Sequence, residues 1–271
     1  MAAYLEIQIP ALDPDHRDLL IQELEGLGFQ GFEEAPDGLR AYAPEGTVEE
    51  GAVSALLESK GLAFSRRVLP EQNWNEVWEA GFVPVRIGNF CGVRAEFHDP
   101  IPGVRYELVI TPKMSFGTGH HETTCLMIEA MEHLPFEGKR VMDFGTGTGI
   151  LAILAFRLGA PSVTAIDNDP WSVDNALENT ARNGAVPVKV LRAEDLSGFG
   201  ETDVILANIN RRVLLAEMNR MAGMLAPGGR LLLSGILTDD SEVLRAAAAA
   251  EGLTLVAETV KGSWVAQLWK K

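Results

Sequence analysis

Residues Val141–Asp167, VMDFGTGTGILAILAFRLGAPSVTAID, decide the fold, because they spell a strand, a Gly-rich turn, a helix and a second strand that ends on an acid. The apolar run at Val141 and Met142 closes at Asp143. Gly145, Gly147 and Gly149 let the backbone turn tightly and approach a ligand, and Ile150–Leu158 continues as an apolar helix. A ligand in such a turn sits above the helix N-terminus. Asp167 follows the next predicted strand, Val163–Ile166, where a carboxylate can accept hydrogen bonds from both hydroxyls of a ribose. A dinucleotide-binding turn places its third glycine where this chain has Ile150, and it has no need of the acid at Asp143. An ordinary strand-to-helix turn would explain the glycines alone; the flanking acids favour a nucleotide-like cofactor.

At 271 residues, 46% apolar and 23% charged, the chain has the make-up of a soluble globular protein of about one to two domains. Its N-terminus, MAAYLEIQIPALDPDHRD, has no basic leader ahead of an apolar run. Nowhere do about eighteen apolar residues follow one another without charge, so a cytoplasmic protein with no membrane partner is expected. Cys91 and Cys125 have neither metal-ligand nor redox spacing and read as buried free thiols. Of the net charge of −15, eleven negative charges fall in residues 1–58, which hold thirteen acids against Arg17 and Arg40. Such a field repels a phosphate backbone and attracts a basic protein, so a Lys-rich partner is expected and direct nucleic-acid binding is not. An acidic face that only confers solubility is the plainer alternative.

Working outward, Tyr4–Ile9 alternates as a strand and Pro14–Gly26 has helical periodicity. Two strand candidates flank Pro36-Asp37-Gly38 as a hairpin turn requires. Thr47 can cap a helix running to Ser59, with Glu50 completing a capping box, and Leu62–Leu69 reads as a further strand. This β-α-β-β-α-β order predicts a small α+β ferredoxin-like domain over residues 1–70. A linker over 71–84 follows, with Trp74 and Trp78 one helical turn apart as packing residues. Residues 85–271 then form the catalytic domain. It has a β preamble across Arg94–Ile110 and, beyond Asp167, alternates helix Trp171–Arg182, strand Val188–Leu191, strand Asp203–Ala207, helix Arg211–Leu225, strand Arg230–Ser234 and helix Asp239–Ala250. Two final strands, Thr254–Glu258 and Trp264–Trp269, allow one antiparallel hairpin on an otherwise parallel α/β sheet.

Two further motifs accompany the cradle. Thr111–Thr124, TPKMSFGTGHHETT, is too rich in glycine for a helix interior and leads into a predicted helix from Glu122 to His133, so it reads as a loop that covers a ligand. The adjacent His120 and His121 point in different directions from a helix start and have no third ligand, so no metal is expected. One of them should cap or pack while the other faces solvent or substrate. Ala207-Asn208-Ile209-Asn210 stands where the fourth sheet strand ends, the place at which open α/β sheets put reacting groups.

The Asp143-x-Gly145-x-Gly147 spacing resembles motif I of the S-adenosylmethionine-dependent methyltransferases. Together with the covering loop and the linker, it is similar to the ribosomal protein L11 methyltransferases, the PrmA family. The resemblance is clear from about Asn73 to the C-terminus. It implies a seven-stranded Rossmann-like class I methyltransferase domain preceded by the ferredoxin-like domain. It also implies S-adenosyl-L-methionine as cofactor, and N-methylation of a basic ribosomal protein of the large-subunit stalk base at lysines and the N-terminal amine. Carried over by position, Phe116, Gly117, Thr118 and Thr124 would contact the cofactor. Asp143, Gly145, Thr146 and Gly147 would hold its methionine part, and Asp167 and Asn168 its ribose. Asn208 is the expected catalytic residue, orienting the acceptor amine, and is also counted among the residues that would contact the cofactor. The chain lacks the Pro-Pro-aromatic run that follows this Asn in glutamine and adenine methyltransferases, which matches the PrmA pattern. A methyltransferase for another protein's lysines is the nearest rival; an NAD-dependent oxidoreductase and a cofactor-retaining module without turnover are the others.

Overall fold

The computed structural model describes residues 4–10, 20–21, 23–35, 38–69, 83–111 and 119–271. The chain divides into two units, Met1–Phe82 and Val83–Lys271. In the first, β1 (Tyr4–Ile9), β2 (Gly31–Ala35), β3 (Gly38–Pro44) and β4 (Ser65–Leu69) form an antiparallel sheet in the order β4-β1-β3-β2, that of a ferredoxin-like sheet. Alternation along β1 turns Leu5, Ile7 and Ile9 into a core that also takes Leu24 from helical residues 23–26 and Val53 and Leu57 from α1 (Glu50–Ser59). Glu6 faces the other way, buried to 4% exposure. Arg67 of β4 holds it with a two-pronged bond: Nε donates to Oε1 at 2.6 Å and a terminal nitrogen to Oε2 at 3.0 Å. That pairing keeps the Glu6 carboxyl below its usual pKa.

The capping box at Thr47 does not form. Its hydroxyl donates back to the Pro44 carbonyl at 2.7 Å, and the helix starts two residues later than a Thr47 cap would require, at an N-cap, Glu49, that makes no side-chain cap bond. A Thr just past a strand end can satisfy the strand's last carbonyl as readily as a helix's first amides, and here the strand wins. The strand predicted from Leu62 starts only at Ser65. Trp74 and Trp78 lie outside the described residues.

The second unit opens with a three-stranded sheet of β5 (Val85–Ile87), β6 (Cys91–Arg94) and β7 (Tyr106–Val109), with β6 in the middle. Its Val93 and Leu108 share a core with α2 (Glu122–Met131), β8 (Arg140–Phe144) and α3 (Ile150–Arg157). Then come β9 (Ser162–Asp167), α4 (Pro170–Arg182), β10 (Lys189–Arg192), β11 (Thr202–Asn208), α5 (Arg211–Met224), β12 (Leu225–Leu237), α6 (Ser241–Ala250), β13 (Thr254–Lys261) and β14 (Trp264–Lys270). The seven-stranded sheet runs β10-β9-β8-β11-β12-β14-β13, parallel as far as β12, with β14 inserted antiparallel between β12 and β13. Chain order reverses between β8 and β11, so a crevice opens at the carboxyl ends of those two strands. Helix α3 is buried from Ile150 to Ala155, which is why its sequence is apolar all round. Helix α6 starts at Ser241 rather than Asp239, after a 3-10 turn at Thr238–Asp240.

Helix α4 carries a ladder of buried asparagines at four-residue spacing. Asn183 makes two bonds to the backbone of Val109, accepting from its N–H at 2.9 Å and donating to its carbonyl at 2.7 Å. Asn179 accepts from the Thr111 N–H at 3.0 Å and donates to the Thr148 carbonyl at 3.0 Å and to Asn175 Oδ1 at 2.7 Å. One side chain thus ties the end of the β preamble to the Gly-rich turn. Asn179→Leu leaves two buried backbone groups without partners and should lower stability by about 2–4 kcal/mol, measured as a shifted urea midpoint with unchanged slope. A midpoint within error of the parent would mean that water replaces the amide.

Candidate active site

A cleft of about 460 Å³ lies at the carboxyl ends of the central strands, in the size range of small-molecule sites. Its floor is the Gly-rich turn. Gly145, Gly147 and Gly149 have φ of +75°, +54° and +83°, values that L side chains rarely adopt. A Cβ on Gly145 would stand 2.1 Å from Ile209 Cγ2, and one on Gly235, at the far end of β12, 2.3 Å from the Ile209 carbonyl oxygen. Ile209 is therefore clasped between the turn and β12, and the clasp fixes the strand end that carries Asn208.

Asp143 is wholly buried and does not line the cleft. Its Oδ2 accepts from Thr146 Oγ1 at 2.6 Å and from the Ala152 N–H at 3.1 Å, tying the turn to the third residue of α3, while Oδ1 has no partner. Burial pushes the carboxyl up to about 7 against these two bonds, with a smaller push from Asp167. Between the unfolded value near 3.9 and the folded value near 7, the folded chain keeps a proton that the unfolded chain has shed. Stability from this group therefore falls as pH rises through that window, and the full penalty, on the order of 4 kcal/mol, is present above it. The stability difference between the parent and Asp143→Asn should accordingly drift in the variant's favour from pH 4 to pH 8 in urea titrations; a flat difference would show that Asp143 is ionised throughout.

Asp167 ends β9 half-buried at the cleft wall. Its Oδ2 accepts from the Gly147 N–H at 2.9 Å and its Oδ1 from the Asp169 N–H at 3.0 Å. A carboxylate has about four acceptor positions, so capacity for a diol remains. Asn168 lies beside it, and Asp169 caps α4 through the Trp171 and Ser172 amides.

Asn208 lies across the cleft. Its Nδ2 donates to Thr124 Oγ1 at 3.4 Å, while its Oδ1 is buried with no partner. Thr124 is in the first turn of α2, capped by His121, whose Nδ1 accepts from the Thr123 N–H at 3.3 Å. The His121 ring packs edge-on against Trp264, centroids 4.7 Å apart, and both residues line the cleft. His120 instead places Nε2 2.7 Å from the Val83 carbonyl oxygen.

Of the residues singled out from the sequence, Gly145, Gly147, Asp167, Asn168 and Asn208 line the cleft; Thr146 and Asp143 lie beneath it, and Thr124 behind Asn208. Phe116, Gly117 and Thr118 lie outside the described residues. Sequence reading missed Glu194, Gly235, His121 as cap and wall together, and Trp264. Glu194 had a signal, since it follows β10 much as Asp167 ends β9. Among the described residues no group of three or more His, Cys, Asp or Glu side chains is placed to hold a metal ion, and no helix is long and apolar enough to cross a membrane.

The model of the family described as "Ribosomal protein L11 methyltransferase (PrmA)" matches residues 37–271. The chain belongs to that family. A ribosomal protein L11 methyltransferase of Porphyromonas gingivalis is 45% identical over 257 residues, which cover 92% of this chain and 89% of the relative. One from Bacteroides fragilis is 38% identical, with 92% of each chain covered. The crystal structure of a ribosomal protein L11 methylase from Lactobacillus delbrueckii subsp. bulgaricus superposes with a TM-score of 0.65 at 28% identity, covering 69% of this chain and 98% of the other. Membership in PrmA accounts for the class I methyltransferase strand order, and the oxidoreductase alternative is not favoured.

Proposed function

We propose that this chain transfers methyl groups from S-adenosyl-L-methionine to amines of ribosomal protein L11, at lysine side chains and the N-terminal amine, in the cytoplasm where the large-subunit stalk base is assembled. The observation that carries this reading is Asn208: a buried amide oxygen without a partner, at the end of β11 and on the wall of the cleft that Asp167 also lines. An orphaned acceptor of this kind suits an N–H donor brought by a substrate.

The cleft suits the cofactor at each end. The Gly-rich turn and Thr146 would hold the methionine part, with Asp143 beneath bracing the turn through Thr146 and the Ala152 amide. Asp167 and Asn168 would take the ribose, and Ala193 and Glu194, one strand further along, the base. Phe116, Gly117, Thr118 and Thr124 complete the assignment on the covering side. When bound, the cofactor supplies an electrophilic methyl group. Asn208 Oδ1 accepts an N–H of the neutral amine and so turns the nitrogen lone pair toward that end of the cleft, an arrangement in which alignment supplies much of the acceleration. A lysine amine of pKa about 10.4 must first lose its proton, and an uncharged amide holds the neutral form without favouring the ammonium.

The acidic first unit is assigned to recruitment of the basic substrate, in keeping with its share of the charge. Incubation with methyl-labelled cofactor tests the whole reading: label on L11 is expected, and label on another protein alone, or none, would refute it. Asp167→Ala should weaken cofactor binding by about 1.5–3 kcal/mol for each charge-assisted bond lost, read by calorimetry on the folded variant. Unchanged affinity would remove Asp167 from the ribose site.

A further inference from the structure

The cleft has an aromatic wall that amine orientation by Asn208 does not use. Trp264 starts β14, paired with Leu237 of β12 on one side and Lys261 of β13 on the other. The turn before it is seated on α2: a Cβ on Gly262 would stand 2.7 Å from Glu122 Oε2. The same helix end brings in His121, edge-on to the indole at 4.7 Å with the rings inclined at 70°. Asn208 reaches this helix through Thr124. Acceptor and indole are thus both referred to the first turn of α2.

The chemistry of repeated methylation gives that wall a task. In each transfer the nitrogen lone pair forms an N–C bond as the sulfonium S–CH3 bond breaks, its electron pair staying on sulfur as a neutral thioether. The nitrogen is left cationic and sheds a proton to solvent before the next transfer, so each methyl removes one N–H. A lysine nitrogen entering its last transfer offers no N–H to Asn208 beyond the one it must shed. From then on a hydrogen-bond acceptor cannot recognise it, whereas the face of an indole attracts an alkylated ammonium. Resting on the function proposed above, we propose that Trp264, held in place by His121, is a subsite for methylated ammonium groups and carries the acceptor through its later transfers. Trp264 touches the substrate in this reading; His121 is a positioning residue.

The test uses the full chain and two readouts. In the first, choline and its neutral carbon isostere 3,3-dimethylbutanol are titrated against 15N-tryptophan-labelled protein, with the Trp264 indole resonance assigned by its loss in Trp264→Phe. Choline should shift that resonance at a concentration at least about fivefold lower than the isostere. In the second, methylation states of L11 are resolved by mass spectrometry. Trp264→Leu should slow the last transfer about tenfold and the first by less than about threefold, so that dimethylated product accumulates. His121→Asn keeps a good helix cap and loses the ring, whereas His121→Phe keeps a ring and loses the cap. The former should shift the product distribution toward Trp264→Leu without loss of stability; the latter should be less stable with the parental distribution. Equal response to choline and the isostere, an unaltered distribution in Trp264→Leu, or a parent enzyme that stops at one methyl would overturn the subsite. An intact choline preference without methylation of L11 would overturn the acceptor assignment instead.

Discussion

Asn208→Ala is expected to lower kcat for methylation of L11 about 10²-fold while leaving the cofactor dissociation constant within about twofold, because the amide acts on the alignment of the acceptor nitrogen. Two features of the site support so local an effect. Ile209, the next residue, is clasped between Gly145 and Gly235, so the strand end should keep its place when the Asn208 side chain is cut back. The lost amide also leaves Thr124 with only a distant former partner, at 3.4 Å, so little stability is at stake. Single-turnover rates set beside calorimetric cofactor affinity make the comparison direct. A variant with parental kcat would return Asn208 to an ordinary strand-end turn, and one that loses affinity and rate in proportion would move it to the cofactor.

Much of this site was legible because the turn, Asp167 and Asn208 stand at strand ends that local pattern identifies: apolar runs terminated by glycine or a polar residue, with helices between them. Alternation then implies the sheet, and the sheet implies which ends converge. What local pattern does not carry is the other side of the cleft. Trp264 reaches it only because β14 inserts between β12 and β13, a pairing no period in the sequence announces. His121 reaches it from the loop before the sheet. Gly235 matters for its distance from Ile209, 26 residues away in the chain, and not for any turn it makes alone.

Local pattern meets the same limit elsewhere. Thr47 and Glu50 have the spacing of a capping box, yet the Pro44 carbonyl takes the hydroxyl. Asp143 is expected at the cofactor, and its bonds to Thr146 and the Ala152 amide place it under the turn, where it would act on a ligand only through that turn. Asn179 of α4 carries no motif in the sequence; burial makes it the bracket between Thr111 and Thr148. In each case the residue type was informative about hydrogen bonding, and the partner was decided by tertiary neighbours.

Deleting residues 1–70 is expected to leave cofactor affinity within about twofold and to abolish methylation of intact L11, while a short lysine peptide at high concentration is still modified. The argument rests on charge. Residues 1–70 hold thirteen acids against five bases, eight of the fifteen net negative charges on about a quarter of the chain, so the deletion removes its more densely acidic part. Within that first unit Glu6 is committed to Arg67 and Glu23 to Lys60, at 2.6 and 2.8 Å, and these pairs contribute little to the long-range field. The uncompensated acids do, and they act over about a Debye length, near 8–10 Å at ordinary ionic strength. Raising salt should therefore raise KM for L11 in the full chain far more than KM for the cofactor, whose partners lie inside the cleft. L11 already assembled on RNA should be a poorer substrate than the separate protein, because phosphates oppose the same field. A truncated chain that methylates L11 at the full rate, or a KM for L11 indifferent to salt, would reduce the acidic unit to a solubility feature and place substrate selection in the catalytic unit.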